Sequence, residues 1–162
     1  MKFASILILI SCVFVFGPGC RQNPNTLFEF LPSSESHVKF KNTIDEAKMP
    51  GQALNEFAYM GGGVGILDVN NDGLKDILFT GNQVSSMLYL NLGNNRFRDI
   101  TTTAGLSTSD WITGVSVVDI NADGFDDIYL CTFGKNLGTR APNLLFINQQ
   151  NNTFKERALD YG

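Results

Sequence analysis

Short apolar runs separated by turn residues dominate the chain after residue 60. The first runs are VGILDV, DILF and SMLYLN, each followed closely by Gly, Asn or Asp. Runs of this length, rich in Val, Ile, Leu, Phe and Tyr, predict β-strands. The strands are expected at Val64–Val69, Asp76–Thr80, Ser86–Asn91 and Arg96–Thr101, and HVKFKN (37–42) predicts an edge strand. Outside the N-terminus no segment keeps a 3.6-residue apolar period, so helix content is predicted to be low.

The strand pattern occurs twice. GVGILDVNNDGLKDILFTGN begins at Gly63, and GVSVVDINADGFDDIYLCTFG begins at Gly114. Further on, MLYLNLGNNRFRDITTTAG is echoed by LLFINQQNNTFKERALDYG. Four antiparallel strands that repeat at this spacing predict blades of a β-propeller, at residues 58–106 and 107–162. The fold class is therefore all-β, a partial β-propeller of two four-stranded blades.

Two blades are fewer than a closed propeller needs, which is roughly four to eight. Two explanations stay open. The chain is a fragment of a longer repeat protein, or it is a complete two-blade domain that pairs with another chain. We favour the fragment, because an open pair exposes blade faces and a sheet edge.

An unusual concentration of acid lies between the first two strands of each copy. In DVNNDGLKD, oxygen-bearing side chains occupy positions 1, 3, 5 and 9, and Gly73 at position 6 permits a sharp turn that directs the carbonyl of residue 7 inward. A solvated hairpin turn is one explanation of such a loop. A calcium site is the other, since converging carboxylates repel one another without a cation and all-oxygen ligands select a hard ion.

The second copy retains all four side-chain positions, and this favours calcium at both loops. The predicted ligands are Asp68, Asn70, Asp72, the carbonyl of Leu74 and Asp76 in the first loop. In the second loop they are Asp119, Asn121, Asp123, the carbonyl of Phe125 and Asp127. An EF-hand is excluded, because it needs an acidic ligand at position 12 and helical flanks, whereas position 12 is Phe79 or Leu130 here.

DVNNDGLKDI and DINADGFDDI resemble the FG-GAP or VCBS repeats of integrin-α-type β-propellers. The stretch EFAYMGGGVGILDVNNDGLKDILFTGN with LYLNLGNNRFRDIT is similar to bacterial exported proteins related to cartilage acidic protein, which often carry an ASPIC/UnbV domain. The resemblance covers about residues 58–162, and its specific part is the twin acidic loops. It implies a seven-bladed or similar propeller with calcium in the inter-strand loops. YMGGGVG and WITGVS stand where the Phe-Gly-Gly-Ala-Pro signature would lie.

The N-terminus predicts export. A basic start is followed by an apolar stretch too short for a bilayer span of roughly 20 residues, as in a secretory signal. GPGC then resembles a bacterial lipoprotein signal covering residues 1–20, with Cys20 lipidated and residues 21–57 as tether and lead-in. LISC, which ends at Cys12, is the alternative, but it leaves an unusually short apolar region. A buried N-terminal strand or helix is the other explanation of the apolar stretch.

Charge and composition exclude other classes. A net charge of −4 without a Lys/Arg cluster argues against nucleic acid. The single His, His37, is remote from Cys131, which lies in an apolar run and predicts a buried core residue rather than a nucleophile. We expect no enzyme here but an exported lipoprotein of the bacterial outer membrane or cell surface, which binds an extracellular protein or glycan. The alternative is a non-catalytic fragment of a larger propeller enzyme, a lyase or hydrolase.

Overall fold

Eight β-strands supply most of the regular structure in the computed structural model, which describes residues 27–49, 59–133 and 141–162. The first sheet contains β1 (Val64–Leu67), β2 (Asp76–Phe79), β3 (Met87–Asn91) and β4 (Phe97–Asp99). The second contains β5 (Ile112–Val118), β6 (Asp127–Thr132), β7 (Leu144–Asn148) and β8 (Phe154–Glu156). In each sheet the strands pair in chain order, and all neighbours are antiparallel.

The prediction of an all-β fold with two four-stranded blades is confirmed, and the four strands expected in the first copy lie within two residues of their predicted ends. We call the sheets the first and second blade. Helices within the described residues are short: α1 (Ser33–Ser36), a 3-10 helix (Glu46–Lys48) and α2 (Ala158–Tyr161). Among these described helices, none has the length and the apolar character of a membrane span.

The chain divides into two units, Met1–Phe30 and Leu31–Gly162, and every element above lies in the second unit. The predicted signal and the candidate lipidation site Cys20 fall outside the described residues.

One hydrophobic core lies between the two blades. Leu67, Leu78 and Leu88 of the first blade are fully buried in it, together with Ile128 and Leu130 of the second. Burial of each such side chain contributes about 1.5–3 kcal/mol relative to exposure. The core therefore joins the two blades.

A glycine lets the blades approach. A Cβ added to Gly65 on β1 would lie 3.2 Å from Cγ2 of Val115 and 3.3 Å from Cγ2 of Val117, both on β5. These separations are tighter than ordinary side-chain contacts, so the hydrogen at this position allows the two innermost strands to pack closely.

The two blades use opposite faces at their interface. Leu78 of the first blade points into the core, but its counterpart in the second copy, Tyr129, is only half-buried. Conversely, Leu130 is fully buried, whereas its counterpart Phe79 lies on the side of the first blade that faces away from the second. Such head-to-tail packing relates successive copies by rotation, as in a propeller, and not by the two-fold symmetry of a sandwich.

Residues 37–45, which we call the strap, cover the other face of the first blade. Phe40 stacks on Phe79 with ring centroids 5.2 Å apart, and Lys39 N donates to Tyr89 Oη at 3.1 Å. Tyr89 is consequently only 1% exposed. At its far end the strap pairs with Asn82, which exchanges two hydrogen bonds with Asn42 at 2.6 and 3.0 Å.

The prediction of an edge strand at HVKFKN is wrong, because this segment has no ladder of backbone hydrogen bonds and binds side chains instead. The prediction of a buried Cys131 also needs correction. Its side chain is half-buried, since it lies on the face of β6 opposite Leu130 and the first blade does not cover that face.

Candidate metal centre

The first acidic loop (68–76) connects β1 to β2 and is closed by its own carboxylates. Asp68, just after β1, accepts the backbone N–H of Asp72 on Oδ1 at 3.1 Å and that of Gly73 on Oδ2 at 2.9 Å. Gly73 has a φ of 82°, which a residue with a side chain rarely adopts. The glycine at position 6 thus permits the turn that the sequence predicted.

Asn70 and Asp72 face each other across the turn. Asn70 Nδ2 donates to Asp72 Oδ2 at 2.8 Å, and Leu74 N donates to Asp72 Oδ1 at 2.8 Å. Both bonds are exposed, so water can replace them at small cost. This half of the loop lies at the surface.

Asp76 is the buried anchor of the loop. It opens β2, is 1% exposed, and accepts Val69 N at 2.8 Å and Asn91 N at 2.7 Å. Burial raises the pKa of Asp76, and the charges of Asp72 and Asp68 raise it further, against the lowering effect of the two N–H donors.

The second acidic loop (119–127) repeats this arrangement bond for bond. Asp119 accepts Asp123 N at 3.0 Å and Gly124 N at 2.8 Å, and Asn121 Nδ2 donates to Asp123 Oδ2 at 3.0 Å. Asp127 accepts Ile120 N at 3.1 Å and Asn148 N at 2.8 Å. The two hairpins also share their register, because Leu67 pairs with Asp76 and Val118 with Asp127.

The buried aspartate of each loop has a raised pKa. Burial raises the pKa of Asp127, as at Asp76, and the charges of Asp123 and Asp119 add to this effect. The pKa of Asp123 is lowered, chiefly by the N–H of Phe125 and also by the side chains of Asn121 and Gln150. Each loop therefore combines surface carboxylates with one carboxylate held in the sheet.

All ten predicted ligand residues lie in these two loops, five in each. Within residues 27–49, 59–133 and 141–162, however, no three acidic, His or Cys side chains converge closely enough to hold a metal ion. The carboxylates instead accept N–H groups of their own loop. Coordination by these residues stays a prediction.

The donor set nevertheless fits a hard cation. A carboxylate offers about four lone-pair sites, and two hydrogen bonds to each of Asp68, Asp72 and Asp76 leave about two free. The side-chain ligands are oxygens without exception, which suits calcium rather than zinc.

Four further residues support the loops and were not predicted. Asn91 and Asn148 end the third strand of each blade, and their backbone N–H groups bind the buried carboxylates of Asp76 and Asp127. The sequence signal for these two residues was the Asn that ends both LYLN and LFIN.

The other two residues link the two loops across the blades. Asn71 Nδ2 donates to Gly124 O, and Asp68 N donates to Asp126 Oδ2, each at 2.9 Å. Nothing in the repeat marks these two, since Asp126 stands where the first copy has Lys75.

Comparison with known proteins supports the repeat assignment. The family model of the FG-GAP-like repeat matches residues 68–130, from the first acidic loop through the second and into β6. No curated protein matches the chain. The particular similarity to cartilage acidic protein relatives stays a prediction, but the resemblance to FG-GAP repeats is confirmed over residues 68–130, which match the FG-GAP-like repeat.

Proposed function

We propose that this chain is an exported, lipid-anchored, calcium-binding β-propeller repeat protein that acts as a binding or adhesion scaffold for an extracellular protein or glycan. The repeat and its blade fold support the scaffold. The observation that carries the calcium assignment is the duplication: two loops one repeat apart in the sequence share four oxygen-bearing side chains and the same hydrogen bonds.

Calcium would act as a structural staple. Asp68, Asp72 and Asp76 bring three negative charges into one short loop, and Asp76 carries its charge within the sheet. A divalent ion offsets that repulsion, so its binding free energy adds to the free energy of folding. Extracellular calcium modules bind with Kd of roughly 10⁻⁴–10⁻³ M, which suffices for this role.

Calorimetric titration of the metal-stripped full chain tests the assignment. We expect two calcium ions per chain, one after Asp72→Ala or Asp123→Ala, and none after both substitutions. At ten times Kd each ion would contribute about 1.4 kcal/mol of stability. Glu35→Gln, which changes an exposed acid on α1, is the matched control and should still bind two. A melting temperature that is the same in chelator and in millimolar calcium would refute the staple.

Export and anchoring need a separate experiment, because they depend on residues 1–20. Expression in a Gram-negative host with labelled palmitate should give a labelled, membrane-bound chain. Cys20→Ala should abolish the label, whereas Cys12→Ala should retain it. A label lost only with Cys12→Ala would move the lipidation site, and no label on the wild-type chain would refute the anchor.

A further inference from the structure

The first acidic loop is held in place by the second blade. Asn148 Nδ2, at the end of β7, donates to the carbonyl of Val69 at 2.9 Å, and Asp126 Oδ2 accepts the N–H of Asp68 at 2.9 Å. The two bonds reach the backbone of the first loop at its first predicted ligand, Asp68, and at the next residue. The second repeat therefore helps to shape a predicted site whose ligands all belong to the first repeat.

Asn148 occupies the junction between the two loops. It is 2% exposed, its backbone N–H binds Asp127 Oδ1 at 2.8 Å, and its Oδ1 accepts Gln150 N at 2.8 Å. The side-chain amide then spans the blades, reaching Val69 O and, at 3.4 Å, Asp126 O. A buried amide with every one of its groups bonded is costly to disturb.

Asn91 is the counterpart of Asn148 in the first blade, and within the described part of the chain it lacks the hydrogen bond to a loop of another blade. Its N–H binds Asp76 Oδ1 at 2.7 Å, its Nδ2 binds Lys75 O at 2.9 Å, and its Oδ1 accepts Gly93 N at 2.9 Å. Asn91 is only half-buried, and all of its bonds among the described residues stay within its own blade. The two asparagines thus differ chiefly in the bond to the preceding loop.

The first loop, which receives the bond from the other blade, is also more buried than the second. Asp68 is 9% exposed under the second blade, whereas its counterpart Asp119 is exposed. No described residue binds the carbonyl of Ile120 in the way that Asn148 binds that of Val69. Two loops with identical predicted ligands therefore have different support.

We propose that Asn148, assisted by Asp126, is a positioning residue that orders the first acidic loop from the second blade. Where the loop holds calcium, which rests on the proposed function, the contact from Asn148 then raises the calcium affinity of the first loop. Partners behind the ligands commonly change metal affinity by 10–100-fold, and we expect a change of about tenfold from this contact.

Two backgrounds isolate the sites for calcium titration of the full chain. With Asp123→Ala only the first loop binds, and adding Asn148→Asp should weaken calcium binding there about tenfold. Asn148→Asp keeps the shape and the acceptor for Gln150 N, but it removes the donor to Val69 O and adds a negative charge. Asn148→Ala removes the same donor without adding a charge and should weaken calcium binding by a similar factor. With Asp72→Ala only the second loop binds, and adding Asn91→Asp should leave its affinity unchanged. Equal affinities of the first loop with and without Asn148→Asp would overturn the proposal.

Hydrogen exchange in chelator gives a readout that does not need calcium. Asn148→Asp should speed exchange of the amides of Asp72 and Gly73, whereas Asn91→Asp should leave the second-loop amides of Asp123 and Gly124 as slow as in the wild type. If the wild-type chain binds no calcium, the proposed function fails, and the exchange rates still decide whether Asn148 positions the loop. Unchanged exchange at Asp72 and Gly73 would refute the positioning role.

Discussion

Replacing the buried anchor of the first loop should destabilise the chain even without metal. Asp76→Ala removes both acceptors of a carboxylate that is 1% exposed, and leaves Val69 N and Asn91 N without partners. An unsatisfied buried N–H costs about 1–3 kcal/mol, so two cost roughly 2–6 kcal/mol. Relief of the charge at a carboxyl of raised pKa offsets part of this loss. We expect a net loss of about 3 kcal/mol, or roughly 6–12 °C in melting temperature for a chain of this size.

Asp72→Ala is the matched control, because Asp72 is also a predicted ligand but its bonds are exposed. In chelator its cost should stay near the roughly 0.5 kcal/mol typical of surface changes. Urea denaturation in chelator measures both variants, and an unchanged slope with a shifted midpoint identifies a change in stability. If the two variants lose equal stability in chelator, the buried hydrogen bonds of Asp76 contribute no more than the exposed ones of Asp72, and the reasoning is wrong.

Three further outcomes follow from the structure. Leu78→Ala, at a fully buried site between the blades, should cost about 2–5 kcal/mol, whereas Leu92→Ala, at a side chain that is 50% exposed, should cost under about 1 kcal/mol; urea midpoints compare them. Phe40→Ala removes the ring stacked on the first blade and should raise the accessibility of Tyr89, measured by chemical modification of its ring and mass-spectrometric mapping; unchanged reactivity of Tyr89 would argue against the strap. Carboxyl NMR titration in chelator should place the pKa of Asp127 above the ordinary value of an aspartate, because the side chain is buried. The raised pKa means that the folded state disfavours the charged form of Asp127. Ionisation of this residue therefore lowers the free energy of unfolding as pH rises through its pKa in the folded state, and the loss disappears at pH values below the ordinary aspartate pKa, where the carboxyl is protonated in both states.

The hairpins could be predicted from the sequence because their causes are local. Alternating apolar residues and turn chemistry specify each strand, and the repeat placed the same loop in both copies. The strap could not be predicted as it is, because Lys39 and Phe40 depend on partners such as Tyr89 and Phe79 that are remote in the chain. Asn148 also escaped prediction as a cross-blade contact, since its bond to Val69 exists only once the two blades have docked.

The use of opposite faces by equivalent residues has a consequence for how such a chain can grow. A tandem duplication inserted at the junction between the blades would present Leu78-type positions to one neighbour and Leu130-type positions to the other. Both neighbours would meet a surface of the kind they already contact, so the gene could lengthen by whole units without new core residues. The acidic hairpin travels with each unit, and every added copy would bring its own loop and an asparagine that reaches back to the loop before it.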